Sequence, residues 1–318
     1  LGVSLQQSVC IEDVMPTLID LCGLGPVPTT GMSLEPWIMN DVPVQPRNIV
    51  IETQYPMVYN WSPLYALRNS TWKYVHAPLP ELFNLVEDPK EKNNLYHATD
   101  TPLSSMQSEL ESELIHMADT ATLDGNGQVS SERMEVLASL GYAAGGSTTG
   151  IIAPDKPLPD PKQKLDVYNW VDSGLSFLAR GFNQNAIDLF RRAQGKDPEN
   201  PTPYLNLGLA YARNQEWEKA IENTLKAIEL SPQNLLAHLQ LTRIYVLNNQ
   251  LEEGKKRLTA ILKEFPKSAE AHYQLGELFS RQQDYPAALQ EFELAKQWMP
   301  DMPGIEELIA KTRKNING

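Results

Sequence analysis

The chain has 318 residues, 42% of them hydrophobic and 21% charged, and its 27 Lys and Arg against 40 Asp and Glu give a formal net charge of −13. The length predicts about two domains, and the acidic balance excludes a general nucleic-acid binder, which needs a basic face to offset phosphate charge. No run approaches the roughly 18 uninterrupted apolar residues of a membrane span, and Cys10, Cys22 and five scattered histidines have the spacing of neither a metal site nor a disulfide framework.

The chain opens on Leu1, in mid-pattern and without the charged start and apolar core of a signal peptide, as expected of the C-terminal part of a longer polypeptide. Residues 11–24 predict a helix with Asp13 as its cap, Pro16 in its first turn and Gly23 as its stop. A proline-rich stretch leads to Gly31-Met-Ser-Leu34. Four short apolar runs, 48–52, 64–68, 72–75 and 81–85, read as strands. Asn69-Ser70-Thr71 is a tight turn that makes 64–75 a hairpin. Residues 109–119 and 131–140 read as helices. The first half is therefore expected to be α+β, a small antiparallel sheet with helices on it.

Within this half, the loop from Glu52 to Leu64 is rich in aromatics and hydroxyls, and binding groups concentrate on such loops. Tyr55, Tyr59, Trp61 and Ser62 are its candidate substrate contacts; the alternative is that Trp61 and Tyr65 pack this region onto a catalytic sheet. Asp124, Asn126 and Glu135 fall at positions 1, 3 and 12 of a calcium loop. Val129 stands where the sharp turn needs Gly, so a turn followed by a helix is expected there instead.

Asp13-Val-Met-Pro-Thr-Leu-Ile-Asp-Leu21 followed by Gly31-Met-Ser-Leu34 resembles the late region of sulfatases of the alkaline phosphatase superfamily. Trp61-Ser-Pro-Leu-Tyr-Ala-Leu-Arg68, Trp72-Lys-Tyr-Val75, Glu81-Leu-Phe-Asn-Leu-Val-Glu-Asp-Pro89 and Asn93-Asn-Leu95 are similar to the sheet that closes those enzymes. Leu137-Ala-Ser-Leu-Gly-Tyr142 is like the last helix before the repeats in sulfatase–tetratricopeptide fusions. The resemblance covers about 1–142. It implies hydrolysis of a sulfate ester by a formylglycine made from the Cys or Ser of Cys/Ser-x-Pro-x-Arg, with calcium holding the sulfate. This sequence departs from that pattern. Cys10-Ile-Glu-Asp-Val14 and Cys22-Gly-Leu-Gly-Pro26 lack the Pro and Arg, and Asp-His-Gly is absent. No catalytic residue or metal ligand is therefore assigned here. Calcium and formylglycine are expected only of an intact parent protein, and the resemblance implies a bacterial periplasmic, exported or membrane-associated location.

Residues 143–165 are rich first in Gly, Ser and Thr and then in Pro, at Pro154, Pro157, Pro159 and Pro161, which predicts a linker. From Val167 the chain repeats every 34 residues. Aligned columns read Gly174, Gly208, Thr242, Gly276; Ala186, Ala220, Gly254, Ala288; Phe177, Tyr211, Tyr245, Phe279; and Pro198, Pro232, Pro266, Pro300. Small residues let two helices approach, the aromatic fills between them, and the proline ends the second helix. This resembles the tetratricopeptide repeat, in units 167–200, 201–234, 235–268 and 269–302. The polar tail 303–318 is expected to be a helix that caps the open end. The expected fold is thus an α+β sulfatase-like region followed by an all-α solenoid. Thr242 and Gly254 predict looser packing in the third repeat.

The resemblance places the inward face at Tyr168, Val171 and Leu175, then Leu205, Leu209 and Arg213, then Leu236, Leu239 and Arg243, then Tyr273 and Glu277. Val171, Leu205, Leu239 and Tyr273 stand where chaperone-binding members carry their first clamp lysine, which disfavours a chaperone tail as partner. Two uses of the face remain: binding a protein or peptide partner, or packing on the sulfatase-like region. Three functions follow: the C-terminal part of a sulfatase, inactive alone; a non-catalytic interaction protein; or a phosphodiester or phosphonate hydrolase of the same superfamily.

Overall fold

The structure, a computed structural model, describes residues 9–25, 31–40, 47–98, 101–122 and 157–317. The chain divides into two compact units, Leu1–Gln54 with Ser62–Leu123, and Tyr55–Trp61 with Asp124–Gly318. The helix expected over 131–140, the calcium-type loop at 124–135 and most of the linker lie outside the described residues.

The first unit begins with a 3-10 turn at Ile11–Asp13 that runs into α1 (Val14–Leu21). The helix stops where Gly23 takes a φ of 65°, with the Gly23 and Leu24 amides bonded back to Asp20 and Ile19, the left-handed ending that glycine favours. Asp13 does not cap α1 with its side chain, which corrects the expectation. The Asp13 carboxylate is fully buried and accepts from the Cys10 amide (2.8 Å), the Met32 amide (2.9 Å) and the two terminal guanidinium nitrogens, Nη1 and Nη2, of Arg47. Thr17 extends the same network, with its hydroxyl taking the Leu34 amide at 2.8 Å. A Cβ on Gly31 would fall 1.9 Å from the Glu12 carbonyl oxygen, so only glycine lets the second segment lie against the first. These contacts explain why Asp13, Thr17 and Gly31-Met-Ser-Leu34 occur together. The stretch also contains a short helix that the sequence reading missed, α2 (Glu35–Asn40).

The sheet is an antiparallel meander in the order β1 (Ile49–Thr53), β2 (Leu64–Arg68), β3 (Trp72–His76) and β4 (Glu81–Asn84). Ala66 faces Val75 and Tyr74 faces Leu82 across the ladders. The β2–β3 turn is set by Asn69, whose side-chain oxygen takes the Thr71 and Trp72 amides at 2.9 and 2.8 Å. After β4, Asp88 gathers the Lys92 and Asn93 amides. Asn94 then takes the Leu82 amide at 3.0 Å, and the Leu95 amide returns to the Leu82 carbonyl. The polar residues of Glu81–Leu95 therefore fold the chain back on its own strand. Helix α3 (Thr101–Thr122) packs on β2 and β3 through Met106, Leu110 and Leu114, opposite buried Leu67, Tyr74 and Leu82. It starts at Thr101, well before the expected 109, with Pro102 in its first turn, where a missing N–H costs nothing.

The second unit consists of helix pairs stacked in sequence. Among the described residues these are α4 (Leu165–Ala179) with α5 (Asn183–Lys196), α6 (Pro201–Arg213) with α7 (Trp217–Leu230), α8 (Leu235–Leu247) with α9 (Leu251–Glu264), and α10 (Ala269–Arg281) with α11 (Tyr285–Trp298). Asn200, Asn234 and Ser268 cap the first helix of the later pairs. The turns inside the pairs hold a left-handed residue at one repeated position, Gly181, Gln215, Asn249 and Gln283. Small residues set the helix spacing, since a Cβ on Gly276 would lie 2.6 Å from the Phe292 ring. Thr242 holds that position in the third pair, where α8 and α9 approach each other over fewer residues than the helices of the other pairs. The final helix α12 (Ile305–Asn317) seats Ile305 and Ile309 on the fourth pair.

Candidate functional site in the repeat unit

The inward positions of the repeats differ along the solenoid. In the first two pairs Val171 is fully buried, Tyr168, Leu205 and Leu209 are half-buried, and Leu175 is exposed. Arg213 is exposed, and its guanidinium donates to the Leu178 carbonyl at 2.5 Å. In the third pair Leu239 is buried while Leu236 and Arg243 are exposed. In the fourth, the Tyr273 hydroxyl lies 3.4 Å from the Glu277 carboxylate. Burial pushes the Glu277 carboxyl above its ordinary range against the pull of Arg243 and Arg281, and burial likewise raises the Tyr273 phenol. The face is thus aliphatic toward its beginning and ionic toward its end.

Part of the aliphatic half is covered within the same unit, while Leu175 stays exposed. Residues Tyr55–Tyr59 form a 3-10 turn, and the segment through Trp61 packs on the first two helix pairs. Tyr59 is 4% exposed and Trp61 3%, their rings stacked at 4.5 Å between centroids. Tyr59 and Tyr55 both meet the Tyr168 ring edge-on. The polar atoms are matched as carefully. The Trp61 indole N–H donates to the buried Asp197 carboxylate at 2.7 Å, and Lys164 donates to its other oxygen at 2.7 Å. The Thr202 hydroxyl donates to the Val58 carbonyl at 2.9 Å. Asn60 sits at a φ of 57°, a left-handed conformation that Asn tolerates better than most residues, and its amide donates to the Glu199 and Leu230 carbonyls. Burial pushes the Tyr59 phenol far above its usual range.

The structure therefore brings Tyr55, Tyr59 and Trp61 together, with Tyr55 still 44% exposed. Ser62 belongs to the other unit, and its hydroxyl donates to the Pro63 carbonyl. Trp61 is buried among repeat helices, and Tyr65 is buried in β2. Sequence reasoning missed Asp197, Lys164, Thr202 and Asn60. The first three partners lie more than a hundred residues from the segment, and local periodicity carries no trace of such pairings.

The described residues do not fit the metal or nucleophile of a sulfatase. Among them, no three or more His, Cys, Asp or Glu side chains gather where they could hold a metal ion. The Cys10 thiol is pushed up by burial and by Asp13, the reverse of an activated thiolate. Among the described residues, no helix is long and apolar enough to cross a membrane.

Residues 171–234 and 239–301 match the family model described as tetratricopeptide repeat, so the helix pairs are tetratricopeptide repeats. A choline-sulfatase of Rhizobium meliloti (strain 1021) is 38% identical over 89 residues, which are 26% of this chain and 17% of the relative. The chain thus spans under a fifth of the length of that curated relative. Among solved structures, a thermophilic TPR protein in Thermus thermophilus is 21% identical with a TM-score of 0.43, covering 47% of this chain and 82% of its own. MamA 41-end from Desulfovibrio magneticus RS-1 is 15% identical with a TM-score of 0.40, covering 48% and 92%.

Proposed function

We propose that the chain is the C-terminal part of a sulfatase-type hydrolase whose tetratricopeptide domain takes a protein partner. The observation that carries the first half of this reading is the 89-residue match to a choline-sulfatase. The second half follows from the repeats, a scaffold suited to protein interaction.

The surface of α1 supports the reading. Ile11 is 87% exposed, Val14 52%, Met15 61%, Leu18 56% and Leu21 46%. Their spacing of three and four residues sets them on one stripe, while Asp13 and Thr17 point inward. An apolar stripe of this extent calls for cover by more protein. In this reading the nucleophile, its formylglycine and calcium belong to sequence outside this chain, and the substrate is a sulfate ester. The protein is then a bacterial exported, periplasmic or membrane-associated one.

The test is mass measurement and peptide mapping of the native polypeptide, followed by an assay of sulfate-ester hydrolysis. The expected result is a mass well above 35.7 kDa, upstream peptides with Cys/Ser-x-Pro-x-Arg and Asp-His-Gly, and sulfate release. A native mass equal to that of this chain would refute the hydrolase and leave an interaction protein. Hydrolysis of a phosphodiester or a phosphonate monoester in a parallel assay, with none of a sulfate ester, would move the reaction elsewhere in the superfamily.

A further inference from the structure

We propose that Tyr55–Trp61 is a built-in, displaceable ligand of the first two repeats. It covers the Tyr168 end of their inward face and leaves Leu175 and the third and fourth repeats open to partners. The proposal rests on the repeats being an interaction surface, not on the sulfatase reading.

Three features mark the segment as recognised like a peptide rather than as filler between helices. It is the short connection between β1 and β2, and about a hundred residues of chain separate it from the repeats that receive it. Its contacts combine a stacked aromatic pair with directed polar ones: indole N–H to Asp197, Thr202 to the Val58 carbonyl, and the Asn60 amide to two repeat carbonyls. Its own secondary structure is a single 3-10 turn, closed by the Asn60 and Trp61 amides on Met57 and Pro56. Such a turn is lost and remade without unfolding the helices beneath it. The site it fills therefore takes a peptide of aromatic–Asn–aromatic type, with Asp197 reading an indole donor.

The third and fourth repeats present a different chemistry. Arg243 and Arg281 are exposed there, beside half-buried Tyr273 and Glu277, and among the described residues the only chain outside the repeats that joins their core is the terminal helix α12. A partner that engages only that half leaves the segment in place. One that needs the whole face must compete with it.

The probe is a fluorescent peptide of residues 54–62, tested by anisotropy on the full chain. Wild type is expected to bind it weakly. A Tyr59→Gly, Trp61→Gly chain that keeps its helical signal is expected to bind at least tenfold more tightly, and adding Asp197→Ala is expected to remove most of that gain. Equal binding to wild type and the emptied chain, or indifference to Asp197→Ala, would overturn the proposal. Should the emptied chain fail to fold, hydrogen exchange on wild type decides. The Asn60 and Trp61 amides are expected to exchange at least tenfold faster than those of Leu207–Tyr211 in α6. Exchange of both only at the slow common rate of global unfolding would make the segment ordinary core and sink the idea. Partner capture through the third and fourth repeats with an immovable segment would refute this inference while sparing the interaction reading.

Discussion

Trp61 offers the sharpest test of how the repeat unit is held together. A tryptophan buries roughly 200 Å², which at about 25 cal/mol per Å² is about 5 kcal/mol as an upper bound. Core Trp to Ala changes cost about 3–5 kcal/mol, and Trp61→Ala is expected in that range because the ring is 3% exposed and stacked on Tyr59. Trp61→Phe separates the two contributions. It keeps much of the ring contact but removes the N–H from Asp197, whose buried carboxylate then retains Lys164. Leaving that oxygen without a donor costs about 1–3 kcal/mol. Urea unfolding of the full chain followed by its far-UV helical signal reads both variants, since the helix pairs supply most of that signal. With Asp197→Ala in a double-mutant cycle, the pair is expected to couple by about 0.5–3 kcal/mol. Midpoints for both Trp61 variants that correspond to less than about 0.5 kcal/mol, the level of an ordinary surface change, would refute the reasoning.

Asp13→Asn is expected to destabilise the first unit by about 1–3 kcal/mol, because it leaves the partly buried Arg47 guanidinium beside a neutral partner; near-UV signals from Trp37 report the loss. Burial alone would raise the Asp13 carboxyl, but hydrogen bonds from Arg47 and the Cys10 and Met32 amides hold it well below the usual carboxylate range. Its contribution is therefore fully present above about pH 4 and fades as the pH falls below that value, a dependence that the Asn variant should lack. Gln215→Gly and Gln283→Gly relieve left-handed residues at φ 59° and 62°. A gain of about 1 kcal/mol from the strain, less about 0.5 from the freer unfolded glycine, should raise the thermal midpoint slightly. Gly276→Ala should lower stability, because overpacking against Phe292 costs about 1–3 kcal/mol and exceeds the roughly 1 kcal/mol that alanine gains in a helix.

The repeats were legible because their constraints recur. Gly174, Gly208 and Gly276 answer one steric demand at a fixed spacing, and so do the prolines after each second helix. The hairpin at Asn69 was legible because its turn is built from neighbouring residues. The role of Asp13 was not. As an acidic residue just before a helix it reads as a cap, and only the fold brings Arg47 and the Met32 amide to it. Tyr55–Trp61 shows the same limit more strongly. Its aromatic and hydroxyl content marks a binding segment, but the residues that receive it belong to another part of the chain. The left-handed column of Gly181, Gln215, Asn249 and Gln283 was equally hidden, because two of its members are glutamines, which carry no turn signal.

Thr242 has a consequence for how the solenoid yields. In a linear array each unit is held only by itself and its neighbours, so cooperativity breaks at the weakest joint. The buried apolar residues fall into groups that meet within the third pair: one joins the first two pairs with Tyr59 and Trp61 and reaches Ile244 of α8, and another joins Leu239, Leu258 and Ile261 to α10. Under tension or mild denaturant the array is expected to part there, as a zip with one worn tooth. The block that carries Tyr55–Trp61 would stay closed while the C-terminal block opens and recloses on its own.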